Sequence, residues 1–366
     1  MTRTVIESKS KTVVMGFDQP FCVIGERINP TGRKKLNLEL EAGDYTTVQK
    51  DVLEQVACGA AVLDVNSGAV FSNRMAEDPR YADNNFVEPP LMKALIETVQ
   101  GLTDTPICID SSVPEALRIG LETAHGRPLL NSVTGEEERL EAVLPLVAKY
   151  DVPVVAISND ETGISDDPDV RFEVARKIVH RAADHGIKAH DIVVDPLVMP
   201  IGAKETAGLQ VFALVRRLRE ELGVNTTCGA SNVSFGLPNR HGINNAFLPM
   251  AIAAGMTSAI MNPVQVGASD KKMAERVAAL EALGVVIPEG IDPAALAPLI
   301  GLGARSATPS KEQEAIKAAD FLMNNDANGA GWIRFNKTAE AAANPSATGG
   351  EGARGRREGR RRRVPA

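Results

Sequence analysis

Eight short apolar runs, each followed by a helix-compatible stretch, constrain this chain more than any other feature. They are FCVIGE (21–26), AAVLDVN (60–66), PICID (106–110), LLNSV (129–133), PVVAISN (153–159), DIVVDP (191–196), TTCGASNVS (226–234) and SAIMNP (258–263). Most are continuously apolar rather than alternating, as in parallel strands covered on both faces. Strands that alternate with helices build a parallel sheet, and eight such units predict an α/β chain closed into a (β/α)8 TIM barrel. The alternative is an open, doubly wound sheet. It is weakened by the absence of any G-x-G-x-x-G after a strand.

The intervening segments carry helix signals. Asp44 can cap a helix that places Val48, Val52 and Val56 on one face, with Gly59 just past its end. Pro114 falls in the first turn of the helix after Ser111 and Ser112. Val170, Val174 and Ile178 repeat at helical spacing, and Gly186 ends that helix. A chain of 366 residues has room for one such barrel, of about 250 residues, and an appendage. The barrel is expected over 18–269. A helical extension over 270–338 follows, with patterns near 270–284 and 310–325 and the lone Trp332. Residues 339–366 are rich in Ala, Gly, Pro and Arg and are expected to be a disordered tail.

Net charge is −7, but the tail holds seven Arg against three Glu, a local +4, so the rest carries −11. An acidic body argues against a nucleic-acid scaffold. Of the four cysteines (Cys22, Cys58, Cys108 and Cys228), no two have C-x2-C spacing, which suits a reducing compartment and no zinc site. The stretch from Met1 to Lys11 is polar and lacks the apolar region of a secretory signal. No run reaches the roughly 18 apolar residues of a membrane span. A cytoplasmic protein is expected.

The runs are apolar until their last residues. Strand one ends in Glu26, followed by Arg27 and Asn29; strand two ends in Asp64 and Asn66; strand three ends in Asp110. Strand four has Asn131, and the remaining four carry Asn159, Asp195, Asn232 and Asn262. A barrel gathers its strand C-termini on one rim, so these side chains should converge. A single Asp there can simply cap the next helix. So many Asn and Asp are harder to account for, because burying polar groups without a partner is costly. With little Lys or Arg among them, the set does not suit a phosphate. It suits a flat heterocycle offering donors and acceptors side by side, on which one carboxylate can take two N–H bonds and an amide can both donate and accept. No G-x-S-x-G, H-E-x-x-H or Walker A loop is present.

The segments I-G-E-R-I-N (24–29), L-D-V-N-S-G (63–68), C-I-D-S (108–111), N-S (131–132), D-P-L-V-M-P (195–200) and G-A-S-N-V-S (229–234) resemble the pterin-binding methyltransferase family. That family includes methyltetrahydrofolate:corrinoid methyltransferases and the folate domain of cobalamin-dependent methionine synthase. The resemblance runs over about residues 18–265 and implies a barrel like that of dihydropteroate synthase. It implies that Asp195 holds the pterin amide N–H and 2-amino group, that Asn131 meets the pyrimidine side, and that Asp110 meets the reduced ring near N8. Asn232 would reach N5, and Asp64 and Asn66 would line the floor. Glu26 and Asn29 belong to the same rim. Arg240, or Arg33 with Lys34 and Lys35, would clamp a folate tail or an acidic partner. The implied substrates are tetrahydrofolate or 5-methyltetrahydrofolate and a cobalamin carried by a corrinoid-binding partner, with no metal held by the chain itself. The resemblance also allows a homodimer.

A tertiary amine leaves poorly unless N5 gains positive charge, so the site must favour protonated N5 in the transition state. A hydrogen-bond network anchored on Asn232 would supply about 2–4 kcal/mol, by analogy with single oxyanion-hole donors. Dihydropteroate synthase shares the barrel, but its N-V-T-P-D-S-F-S loop reads N-P-T-G-R-K-K here (29–35), and Ser231–Asn232–Val233 replaces its Ser-Arg-Lys stretch. Losing cations that would handle a pyrophosphate leaving group points to methyl transfer. The expected activity is therefore methyl transfer between folate and a corrinoid, as the folate component of a split methionine synthase. The alternatives are transfer from a corrinoid to tetrahydrofolate in a demethylation pathway, dihydropteroate synthesis, and a non-catalytic folate-binding scaffold.

Overall fold

The computed structural model describes residues 2–264 and 317–343. It opens with an antiparallel hairpin, β1 (Arg3–Glu7) and β2 (Thr12–Gly16), which the polar N-terminal sequence does not suggest. Eight parallel strands follow: β3 (Cys22–Ile28), β4 (Val62–Asn66), β5 (Ile107–Asp110), β6 (Leu129–Thr134), β7 (Val154–Ile157), β8 (Ile192–Asp195), β9 (Asn225–Thr226) and β10 (Ser258–Met261). They pair in chain order, and β10 returns to pair with β3. The remaining seam, between β9 and β10, is joined by one backbone bridge, Gly229 to Ile260. The hydroxyls of Thr257 and Ser258 supplement it: both donate to the Thr226 carbonyl at 3.0 Å, and Thr257 Oγ1 accepts the Thr226 N–H.

Around this barrel run α1 (Lys34–Glu41), α2 (Thr46–Ala57), α3 (Ser72–Glu77), α4 (Asn84–Gln100), α5 (Pro114–Thr123), α6 (Glu137–Tyr150), α7 (Pro168–Asp184), α8 (Ala207–Arg217) and α9 (Arg240–Ala254). Pro114 opens α5 as expected. Val48 and Val52 are buried on α2. The buried face of α7 is offset from the expected one. Val170 is 41% exposed, and Arg171 takes the place beside Ala175, Ile178 and Ala182.

Strand parity sorts the core. Leu63, Val65, Ile107, Ile109, Val154, Ala156, Ile192 and Val194 face the helices. Cys22, Ile24, Val62, Cys108, Leu129, Val155 and Val193 face inward, and Ile6 and Met15 of the hairpin pack among them. Most of these inward residues lie in the first half of their strands, so the hairpin plugs the N-terminal end of the barrel. Burying Ile6 and Met15 fully contributes roughly 1.5–3 kcal/mol each. Asn225 Nδ2 ties the plug down, donating to Thr4 Oγ1 at 2.8 Å and to the Met15 carbonyl at 3.1 Å.

Strand seven is much shorter than the expected 226–234. Ala230–Ser234 is a 3-10 turn, held by Asn232 N–H to the Gly229 carbonyl and Phe235 N–H to the Asn232 carbonyl, both at 3.0 Å. Small and short polar residues compete for the backbone there, and they favour turns over a ladder.

The described part of the extension is helical over 317–322 and in α10 (Ala330–Ala343). Ala318, Phe321, Leu322 and Trp332 pack with residues of α8 and α9, and the Trp332 indole donates to the Pro238 carbonyl at 3.1 Å. Helix α10 crosses the expected boundary at 338. The pattern near 270–284, the start of that at 310–325 and the tail from 344 lie outside the described residues. Among the described residues no helix is long and apolar enough to cross a membrane.

Candidate functional site

The inward positions that are apolar at the plugged end become polar at the other. Glu26, Asp64, Asn66, Asp110, Asn131 and Asp195 follow the inward apolar residues at intervals of two, so all point into the barrel mouth. Register brings Asn66, Asp110 and Asn131 level, with Asp64 one layer deeper beside Cys108 and Asp195 beside Ile157. Asn66 pairs with Asp110, and Asp110 with Asn131. Asn66 Nδ2 donates to Asp110 Oδ2 at 2.7 Å.

Glu26, Arg27, Asn29, Thr31, Arg33, Asp64, Asp110 and Ile260 line one cavity of about 360 Å³. A register shift in β3 between Gly25 and Ile28 adds one residue to the strand there, and Arg27 lines the cavity beside the inward Glu26. Gly25 itself is required: a Cβ there would lie 2.5 Å from Gln55 Oε1, which accepts the Arg27 N–H. Arg27 and Arg33 lean on the buried Asp51, at 3.4 and 2.7 Å. Lys35 pairs with Glu39, and Lys34 is exposed. Of the expected basic run, only Arg33 faces the cavity.

The floor is electrostatically strained. Burial, then the neighbouring Asp110, push Asp64 well above the usual carboxylate range. Its Oδ1 is buried without a hydrogen-bond partner. Asp110 is raised to about 6, chiefly by burial, with Glu88 adding to the rise and bonds from Asn66 and Asp64 opposing it. This pattern fits a pair in which Asp64 keeps the proton and shares it with Asp110. Asp195 is raised to about 6 by burial, opposed by the Leu197 N–H at 2.7 Å and by Arg171.

A carboxylate raised in the folded state holds its proton there while the unfolded chain has already released it. The stability it contributes is therefore present at low pH and lost as pH rises from about 4 to about 6. Asp110→Asn should remove that loss. The variant should be more stable than the parent by about 2 kcal/mol at pH 7, and less so at pH 4.5, in urea denaturation of the ligand-free protein. An equal effect at both pH values would contradict the assignment.

The other expected residues sit differently. Asn29 Oδ1 accepts the Thr31 N–H at 2.9 Å, shaping the mouth loop. Asn159 lies past the end of β7, and Asn262 Oδ1 accepts the Val264 N–H at 3.1 Å, a local turn role. Asn232 is exposed on the 3-10 turn, with its Nδ2 over Gly229. That turn is joined to the cavity by Ser231 Oγ, which donates to Glu26 Oε1 at 3.1 Å. Arg240 is engaged by the same turn, donating to the Ser231 carbonyl at 2.6 Å and to Ser234 Oγ at 3.1 Å.

Arg171 escaped sequence reading. It is 1% exposed, and its guanidinium donates to the carbonyls of Pro196 and Leu197 at 2.9 Å each. It thereby fixes the loop on which Leu197, at φ +59°, offers its N–H to Asp195.

Carboxylates and amides thus gather at the C-terminal mouth of a closed parallel barrel. The chain belongs to the pterin binding enzyme family, whose profile matches residues 25–262. It is 30% identical over 247 residues to a methylcorrinoid:tetrahydrofolate methyltransferase of Eubacterium limosum, covering 66% of this chain and 84% of that protein. It is 31% identical over 285 residues to the methionine synthase of Mycobacterium leprae, covering 74% of this chain but only 22% of the synthase. Among solved structures, a dihydropteroate synthase of Xanthomonas albilineans superposes with a TM-score of 0.52 at 21% identity, over 78% of this chain and all of that one. At that identity the likeness shows the fold alone.

Proposed function

We propose that this protein transfers the N5-methyl group between 5-methyltetrahydrofolate and a corrinoid carried by a partner protein. The observation that carries the reading is the inward set of Asp64, Asn66, Asp110, Asn131 and Asp195 at the strand ends of a pterin-family barrel, with Asn66, Asp110 and Asn131 in register. Asp195 accepts the two N–H groups on one edge of the pterin. Asn131 completes the pyrimidine side, and Asp110 meets the reduced ring. Asn66 holds Asp110 from the side and Asp64 from beneath. Asn232, on a turn at the rim, stabilises charge at N5 as the methyl group leaves or arrives. Glu26 and Asn29 shape the mouth. The corrinoid is a second substrate, serving as methyl acceptor or donor at its cobalt.

The relative whose length this chain nearly spans is named for transfer from a methylcorrinoid to tetrahydrofolate, which supports that direction. The methionine synthases support the other reading, in which this chain is the folate component of a synthase divided among several proteins. The buried thiols of Cys22, Cys108 and Cys228 fit a cytoplasmic setting.

The deciding experiment mixes the protein with 5-methyltetrahydrofolate and cob(I)alamin in a single turnover and follows the cobalt spectrum. Conversion to methylcobalamin is expected. Folate binding without conversion, even with corrinoid proteins added, would sink the transferase reading, and formation of dihydropteroate from p-aminobenzoate and pterin pyrophosphate would replace it.

A further inference from the structure

We propose that Glu88 is a positioning residue of the site. In this role a buried carboxylate on α4 grips the ends of β4 and β5 from outside the barrel, so that Asn66 and Asp110 meet inside it. The inference rests on the pterin reading of the mouth.

Glu88 is 2% exposed, and Glu88 Oε2 accepts from the hydroxyls of both Ser67, at 3.3 Å, and Ser111. Ser67 directly follows Asn66, and Ser111 directly follows Asp110. Successive side chains of a strand point to opposite faces. The Asn66–Asp110 bond at 2.7 Å and the Ser67–Glu88–Ser111 grip therefore lie back to back across the same two strand ends. Ser111 extends the grip. Its hydroxyl accepts the Val113 N–H at 2.9 Å, and its own N–H donates to the Asn131 carbonyl at 3.0 Å, which ties in β6.

Among the described residues no cation pairs with Glu88. A buried carboxylate without a counter-charge is costly, and an apolar side chain would pack this face of α4 more stably. Glu88 shares that face with Met92, Leu95 and Val99. What the carboxylate achieves that an apolar residue would not is the simultaneous hold on two hydroxyls and a negative charge behind Asp110. The groups facing Asp110 are Asp64 and Asn66 on β4, Asn131 on β6 and Glu88 on α4. Glu26, Arg27 and Arg33 share its cavity.

The test compares Glu88→Gln with the Ser67→Ala/Ser111→Ala double variant. It reads 5-methyltetrahydrofolate affinity by calorimetry and the titration of Asp110 by NMR of protein carrying carbon-13 aspartate, with the signal assigned by its loss in Asp110→Asn. Both variants should lose about tenfold or more in affinity, the effect of losing hydrogen bonds to a charged group. Glu88→Gln alone should move the Asp110 titration to lower pH, with Asp195 unmoved. A general loss of packing would not produce that split. Should Glu88→Gln fail to fold, the double variant's affinity decides alone. Parental affinity in the variants, with the Asp110 titration unmoved, overturns the role while folate binding by the parent leaves the pterin reading standing. A parent that binds no folate overturns both.

Discussion

Asp195→Ala is expected to lose folate binding by a factor of roughly 10²–10⁴ while gaining stability. In the proposed complex this carboxylate accepts two N–H bonds from one edge of the pterin. Charge-assisted bonds contribute about 1.5–3 kcal/mol each, and the loss leaves the ring's donors buried without partners. Without ligand the same carboxylate is a burden, because burial lifts it to about 6 against the pull of Leu197 N–H and Arg171. Its ionised form is the useful acceptor, so affinity in the parent should also weaken as pH falls below about 6. Equilibrium dialysis together with denaturation at pH 7 tests the pair of effects. An affinity within a few-fold of the parent would remove Asp195 from the pterin edge.

Asn232→Ala is expected to behave in the opposite way, slowing single-turnover methyl transfer by about 10²–10³-fold with folate affinity changed only a few-fold. The turn that carries Asn232 is held by backbone bonds and by Arg240 rather than by the Asn232 side chain, so truncation should leave it in place. A group that meets N5 only as charge develops there affects the transition state more than the bound ground state. Equal losses in rate and binding would make Asn232 an ordinary binding contact.

Much of this site is legible in the sequence, because a strand writes its inward face at every second residue. Asp64 with Asn66, and Asp110, Asn131 and Asp195, each stand an even number of steps from an inward apolar residue. Their convergence follows from eight parallel strands and nothing more. The N-terminal hairpin is not legible in the same way: Arg3–Glu7 and Thr12–Gly16 are short and partly polar, and they become strands because the open end of the barrel gives Ile6 and Met15 somewhere to go. TTCGASNVS reads as one strand by composition, yet after Cys228 the chain turns, and the backbone bonds of Asn232 and Phe235 close a 3-10 turn in place of a ladder.

Glu88 and Arg171 could have been found. Glu88 stands with Met92, Leu95 and Val99, and Arg171 with Ala175, Ile178 and Ala182, each the one charged residue in an apolar stripe at steps of four, seven and eleven. A charge in such a stripe must have a partner inside the fold. In both cases the partner is the chain just beyond a site carboxylate: Ser111 after Asp110, and the Pro196 and Leu197 carbonyls after Asp195.

The hairpin plug has a practical side. It anchors the first described residues at the N-terminal end of the barrel, where Thr2 Oγ1 donates to the Gly223 carbonyl, while Asp64, Asp110 and Asp195 lie toward the C-terminal ends of their strands. A tether joined ahead of Thr2 would therefore hold the molecule with its mouth turned outward. Immobilised on a sensor surface in that orientation, it would present the folate pocket and its rim to whatever carrier of the methyl group flows past.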